Sequence, residues 1–164
     1  MTGKPVRESA SEYAQLALPN DANNLGNVLG GTIMHLVDMA AAMAAMRHAR
    51  KLVVTASVDS FQFLHPAHIG TLMILHASVN RVFRTSMEVG VYVETENLMT
   101  GGRVHNCSAY LTFVALDSEG RATPVEPVIP ESDDEKRRYR QAGERRESRL
   151  ALRSHMKADN PTKQ

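Results

Sequence analysis

Asp38 stands within TIMHLVDMAAAMAAM, a stretch that is otherwise almost wholly apolar, and the pair Gly30-Gly31 precedes it by about two helical turns. Carboxylates are seldom buried unless they are paired or used. In a dry cleft, one can take a proton from water or attack an electrophile directly. Glycine at a helix start lets a ligand approach backbone N–H groups that have no partner inside the helix. Such donors suit a carbonyl oxygen that gains negative charge in a transition state. Asn23 belongs to the Asn-rich turn ahead of the helix (Asn20, Asn23, Asn24, Asn27) and offers an amide that can hold a water or a carbonyl. Each residue also has a plainer reading. Asp38 can pair with His35 or an arginine for structure alone, the glycines can serve tight helix–sheet packing, and Asn is an ordinary turn residue.

A second group, Arg84, Thr85 and Ser86, lies close to Arg81 between two strand candidates. Guanidinium and hydroxyl groups together suit phosphate oxygens, although a solvated hairpin would carry the same residues. His65 and His68 flank a turn without further ligands at zinc spacing, so no metal site is expected. Cys107 falls in a strand with no base near it in sequence and reads as a buried structural thiol. The chain has no G-x-S-x-G elbow, P-loop or G-x-G-x-x-G, which removes the commonest serine-hydrolase and nucleotide folds.

The elements that must position these groups are legible in outline. Residues 30–46 carry apolar side chains all round, with Thr32, His35 and Asp38 as the polar exceptions, so this helix is expected to be buried on most sides. Tyr13–Leu18 reads as a short edge strand before it. Four long strands follow: 52–63, 71–83, a segment in which Met87, Val89, Val91 and Val93 alternate with more polar neighbours, and 103–116 after the turn Thr100-Gly101-Gly102. The fold class is therefore α+β, with one buried helix and an antiparallel sheet of about five strands. Residues 1–10 read as a loose, flexible N-terminus, 11–130 as the folded domain, and 131–164 as a charged segment. That last segment should start a short helix at Ser132-Asp133-Asp134-Glu135 and then lose order.

The 164 residues suffice for one domain with a real core. A formal net charge of +1 gives no general case for nucleic-acid binding. No run is long and apolar enough to cross a bilayer, and neither a signal peptide nor a membrane partner is indicated. The single cysteine excludes an internal disulfide and fits a reducing, cytoplasmic compartment.

In this order, PNDANNLGNVLGGTIMHLVD, VTASVDSFQF, RTSMEVGVYVE and PVIPESDDEKRRY resemble the hot-dog-fold acyl-CoA thioesterases, in the branch of cytosolic acyl-coenzyme A hydrolases and YciA-like enzymes. The likeness covers roughly residues 11–140. It implies a long central helix wrapped by an antiparallel sheet, and hydrolysis of fatty acyl-CoA to free acid and coenzyme A. In relatives, a helix acid and a loop asparagine meet in one active site from two subunits; Asp38 and Asn23 match them. The resemblance further implies a thioester carbonyl polarised at Gly30 or Gly31 and coenzyme A phosphates held near Arg84, Thr85 and Ser86. No separate cofactor is needed, because coenzyme A is part of the substrate. A homodimer is the minimal unit, and relatives form hexamers as trimers of dimers.

Two other readings fit parts of the pattern. A 3-hydroxyacyl thioester dehydratase or hydratase would need a histidine beside the acid, and His35 lies one turn from Asp38 in the same helix. A non-catalytic acyl-CoA-binding regulator would normally add a DNA-binding helical domain, for which residues 1–10 are too short.

Overall fold

A computed structural model describes residues 2–158. Its elements are β1 (Lys4–Pro5), β2 (Ser11–Leu16), α1 (Gly30–Ala49), β3 (Leu52–Phe63), β4 (Leu72–Val82), β5 (Ser86–Glu96), β6 (Arg103–Leu116), β7 (Val128–Ile129) and α2 (Asp133–Ala158). The five long strands form one antiparallel sheet in the order β2-β4-β5-β6-β3, which leaves β2 and β3 as the edges. This is the α+β arrangement implied by the resemblance, with α1 enclosed by the sheet.

Alternation decides which side chains α1 meets. Met73, Leu75, Ala77 and Val79 of β4, Met87, Val89, Val91 and Val93 of β5, and Cys107, Ala109, Leu111 and Phe113 of β6 are buried and pack into one core with the helix. Ala40, Ala41, Ala44 and Ala45 have no exposed surface. Their single methyl groups let the helix axis approach the sheet closely, and bulkier residues there would overpack. Arg50 closes the helix in the left-handed region at φ 52°, donating its N–H to Met46 O.

The other face of the sheet is polar. Glu88, Asn80 and Thr112 are buried there, under α2. Gly90 is required beside them: a Cβ at that position would stand 2.7 Å from the Asn80 Nδ2.

Two features depart from the sequence reading. Residues 4–9 are tied down: β1 pairs in parallel with β7, and Val6 and Ser9 are buried. The charged C-terminal segment forms a helix of 26 residues rather than a short one, because it finds buried partners on the sheet. Residues 159–164, where the loss of order was expected, lie outside the described residues. His48, near the end of α1, is fully buried. Its Nε2 donates to Glu126 O at 2.8 Å, and Lys4 Nζ caps the His48 carbonyl at 2.8 Å.

Candidate active site

The loop before α1 is folded by its own asparagines. Asn23 N–H donates to Asn27 O at 2.7 Å, while Asn23 Oδ1 accepts from the N–H groups of Leu25 (2.9 Å) and Asn27 (3.2 Å). Gly26 supplies the left-handed turn at φ 76°. Asn23 is thus a turn residue after all, and the turn orients it: with Oδ1 occupied, Nδ2 is the group left to donate outward. Asn27 Oδ1 accepts from His68 Nδ1 at 2.8 Å, and Val28 N–H donates to Ala67 O, which clamps the loop to the turn before β4.

The helix then starts at Gly30 with Leu29 as its N-cap, and no side chain caps it. The N–H groups of the first turn have no intrahelical partner. A Cβ at Gly31 would meet nothing within 4 Å, and Gly30 lies under the Phe63 ring. Asn23, Gly30, Ile33, Phe63, His65 and Ala67 all line one cavity of about 390 Å³. A donor-rich rim over an apolar floor is the expected form of a small-molecule site.

Asp38 lies elsewhere on the helix. Eight residues of α-helix put it about 12 Å along the axis from Gly30, outside that cavity. It is half-buried rather than enclosed, since Met34 and Met46 on α1 are exposed together with much of β3. Its partner is neither His35 nor an arginine. Thr55 on β3 donates its hydroxyl to Asp38 Oδ1 at 2.7 Å. One carboxylate oxygen is thereby fixed while the other can face a reactant. Thr55 escaped the sequence reading, since a threonine in a β-rich segment carries no signal until the strand's register against α1 is known. A register irregularity follows it, between Thr55 and Ser57.

The structure thus unites Asn23 with Gly30, and Asp38 with Thr55. It separates the two pairs by two turns of helix, so the expected proximity of Asp38 to the glycine donors does not occur within one chain.

Arg84 and Thr85 lie in the turn from β4 to β5 and Ser86 opens β5, where the register sets it across β6 from Val54, the neighbour of Thr55. The carbonyls of Arg84, Thr85 and Ser86 accept from Val125, Ala115 and Phe83 N–H, respectively, at 3.0, 3.0 and 2.7 Å. Ser86 Oγ accepts from Arg146 at 3.2 Å, and Arg84 is exposed. Burial, and then the neighbouring Arg149 and Arg81, pull the Arg146 pKa below its ordinary value. The turn therefore sits in a positive field. Cys107 is buried as expected, and burial pushes its thiol up to about 12.

Residues 25–101 match the thioesterase superfamily. The chain is 39% identical over 93% of its length to a protein of Bacillus subtilis (strain 168) named as an uncharacterized acyl-CoA thioester hydrolase, of which it covers 88%. Among solved structures, it superposes on an apo-hexameric acyl-CoA thioesterase with a TM-score of 0.90 and 41% identity, covering 93% of this chain and 97% of that one. It also superposes on an acyl-CoA hydrolase from Staphylococcus aureus, solved with butyryl coenzyme A, coenzyme A and coenzyme A disulfide. There the TM-score is 0.89 and the identity 38%, over 95% of each chain. Variants of the staphylococcal protein with an aspartate, a threonine or an asparagine changed to alanine match as well. The three altered positions have the same mutual spacing as Asn23, Asp38 and Thr55 here.

Proposed function

The chain belongs to the thioesterase superfamily and is an acyl-CoA thioester hydrolase; we propose that each of its active sites is shared between two subunits and cleaves fatty acyl-CoA. What carries this reading is the split just described. One chain holds a carboxylate at one place and carbonyl-binding donors about 12 Å away, too far apart to act on one thioester. Two copies related by a two-fold axis bring Asp38 and Thr55 of one against Asn23 and Gly30 of the other, giving two equivalent sites. The β3 edge supports such pairing: it is twelve residues long, lacks a neighbour on one side and exposes Leu52, Val54, Val58 and Phe63. Hexamers, as in the apo-hexameric neighbour, would assemble from these dimers.

In this site, Asp38, fixed by Thr55, takes a proton from water as the oxygen attacks the thioester carbon. The N–H groups of Gly30 and Gly31 stabilise the oxyanion, and the Asn23 amide places the water or the carbonyl. The C–S bond then breaks, the thiolate of coenzyme A leaves, and the proton held by Asp38 returns to it or to solvent. Direct attack by Asp38 through a mixed anhydride uses the same groups. We place the anionic end of coenzyme A near Arg84, Thr85 and Ser86, where Arg146 and Arg81 supply the positive field. The protein needs no further cofactor for this chemistry. A cytoplasmic location belongs to the same proposal and is supported by the single reduced thiol of Cys107.

The decisive experiment mixes Asn23→Ala and Asp38→Ala chains, each inactive alone, and follows thiol release from acyl-CoA. Partial recovery is expected, because a heterodimer retains one intact site. A mixture that stays inactive after verified subunit exchange overturns the shared site.

A further inference from the structure

β3 falls out of step with β6 at two points. Thr55 pairs with Phe113 and Ser57 with Thr112; then Val58 pairs with Leu111 and Ser60 with Tyr110. Ala56 and Asp59 are thus extra to the ladder, one at each irregularity. In an unbroken strand, Thr55, Ser57 and Asp59 would all face the same way. Here Thr55 stands opposite the core residue Phe113 and gives its hydroxyl to Asp38 at 2.7 Å. Ser57 stands opposite Thr112, which meets Arg149 of α2. The first irregularity is therefore what lets one strand serve α1 with Thr55 and α2 with the polar residues just after it.

A bulge leaves the ladder locally unmade, and β3 is an edge strand, so ladder bonds hold this stretch from one side only. Side chains supply what the ladder lacks. Ser57 Oγ donates to Asp59 Oδ1 at 2.8 Å, and Thr112 Oγ1 donates to Asp59 Oδ2 at 2.7 Å. Arg149 Nη1 donates to that same Oδ2 and to Thr112 Oγ1, both at 2.7 Å. The Asp59 side chain is only 4% exposed, so water has little access to replace these bonds. One carboxylate thus ties both irregularities to β6 and α2. It is the extra residue of the second, and it holds the residue that follows the first. Glu88 and Arg145, the other buried pair beneath α2, sit where β5 runs in regular register with β6.

We propose that Asp59, held by Arg149, is a positioning residue for thioester hydrolysis: by pinning the irregular stretch of β3 it keeps the Thr55 hydroxyl on Asp38. The inference rests on the reading of Asp38 and Thr55 as catalytic, and it needs no subunit contact. It adds a path through the sheet, from Arg149 on α2 through Asp59, Ser57 and Thr55 to the carboxylate on α1. Asp59 and Arg149 act through Thr55 alone. A shift of about 1 Å in a reacting group can cost about 10²-fold in rate. The loss should fall on kcat and spare KM, because Asn23 and Gly30 line a separate cavity that these bonds do not touch.

The test measures thiol release from acyl-CoA by the full-length Asp59→Leu/Arg149→Leu protein. Removing both partners removes desolvation along with attraction, so the fold should persist, which thermal unfolding verifies. Its kcat is expected to fall at least about tenfold with KM unchanged, and the NMR signal of the Thr55 methyl group should move. Ser57→Ala, a milder change, should shift both readouts in the same direction and decides the matter if the double variant unfolds. Adding Thr55→Val to the pair should cost little beyond Thr55→Val alone, since both act through one hydroxyl. Glu88→Met/Arg145→Met should keep the wild-type kcat. Where Thr55→Val is impaired, wild-type turnover in Asp59→Leu/Arg149→Leu and in Ser57→Ala overturns the inference and leaves the catalytic reading standing. Losses that multiply in the triple variant, or an equal loss in Glu88→Met/Arg145→Met, also overturn it. A fully active Thr55→Val protein overturns the catalytic reading of Thr55, and the inference with it.

Discussion

α1 and α2 lie on opposite faces of one sheet and are held there by opposite means. Beneath α1, apolar residues at alternate positions of β4, β5 and β6 meet a run of alanines, and contact is close and dry. Beneath α2, contact is made through long side chains. Arg145 Nε and Nη2 grip Glu88 Oε2 and Oε1 at 3.0 and 2.7 Å, and Asn80 Nδ2 adds a third bond to Glu88 at 3.0 Å. The Arg145 guanidinium also covers the Tyr110 ring at 3.7 Å. Arg149 donates to Asp59 Oδ2 and Thr112 Oγ1, both at 2.7 Å. Burial pushes the Asp59 carboxyl up, but the bonds from Arg149, Thr112 and Ser57 outweigh it and hold its pKa below the usual range. The dry face carries the stability common to any globular domain. The charged face fixes the direction of a helix that has no apolar stripe of its own, because bidentate pairs are geometrically selective.

The sharpest break in this comparison comes from the one carboxylate that the dry face does not bury. Asp38→Asn removes the proposed general base, a role worth roughly 10²–10⁴-fold, so kcat for thiol release should fall by about that factor with the melting temperature nearly unchanged. Near-normal turnover would take Asp38 out of the chemistry. On the charged face, Glu88→Ala leaves Arg145 facing a buried site without a partner, and about 3–5 kcal/mol of stability should be lost, measured by denaturant unfolding. The paired change Glu88→Met/Arg145→Met should recover most of that loss, since desolvation is removed along with the attraction. If the pair is as damaging as the single change, the network is doing more than neutralising itself. On the dry face, Ala44→Leu forces a larger side chain into a contact that has no spare volume and should cost about 1–3 kcal/mol.

The difference between the faces also explains what was legible in the sequence. The strands and α1 follow from hydrophobic periodicity, and the α+β class with them. Asp38 and the uncapped glycine start stood out because polar or bare residues within an apolar helix are conspicuous. By contrast, Asp59 and Arg149 are 90 residues apart, and nothing local marks either as the other's partner. A charged helix reads as solvated until buried carboxylates are found beneath it. Thr55 was hidden for the same reason, as its role depends on which strand faces α1 and in what register. The resemblance already implied that Asp38 and Asn23 act from different subunits, but the residues alone did not show that Gly30 groups with Asn23 rather than with Asp38. Adjacency along one helix suggested a single centre, whereas axial rise divides it in two.

The smallest expected effect concerns the end of α1, where the dry face encloses a titratable group. Burial, partly offset by the bond to Glu126 O, lowers the His48 pKa, and Lys4 lowers it further. Its Nδ1 has no hydrogen-bond partner among the described residues. The folded chain therefore keeps this ring neutral at pH values where the unfolded chain, with a histidine pKa of about 6.5, takes up a proton. Stability is fully present above that pH and declines on acidification until the folded pKa is reached. One such group changes stability by at most about 1.4 kcal/mol per pH unit. Asp59 acts in a lower window: its folded pKa is depressed, so its contribution holds above the ordinary carboxylate range and is lost as pH falls through it. Urea unfolding at pH 7.5, 6.5 and 5.5 should show a decline that His48→Gln abolishes and Asp59→Asn leaves in place. An unchanged slope in His48→Gln would assign the titration to another group and leave the buried imidazole as packing alone.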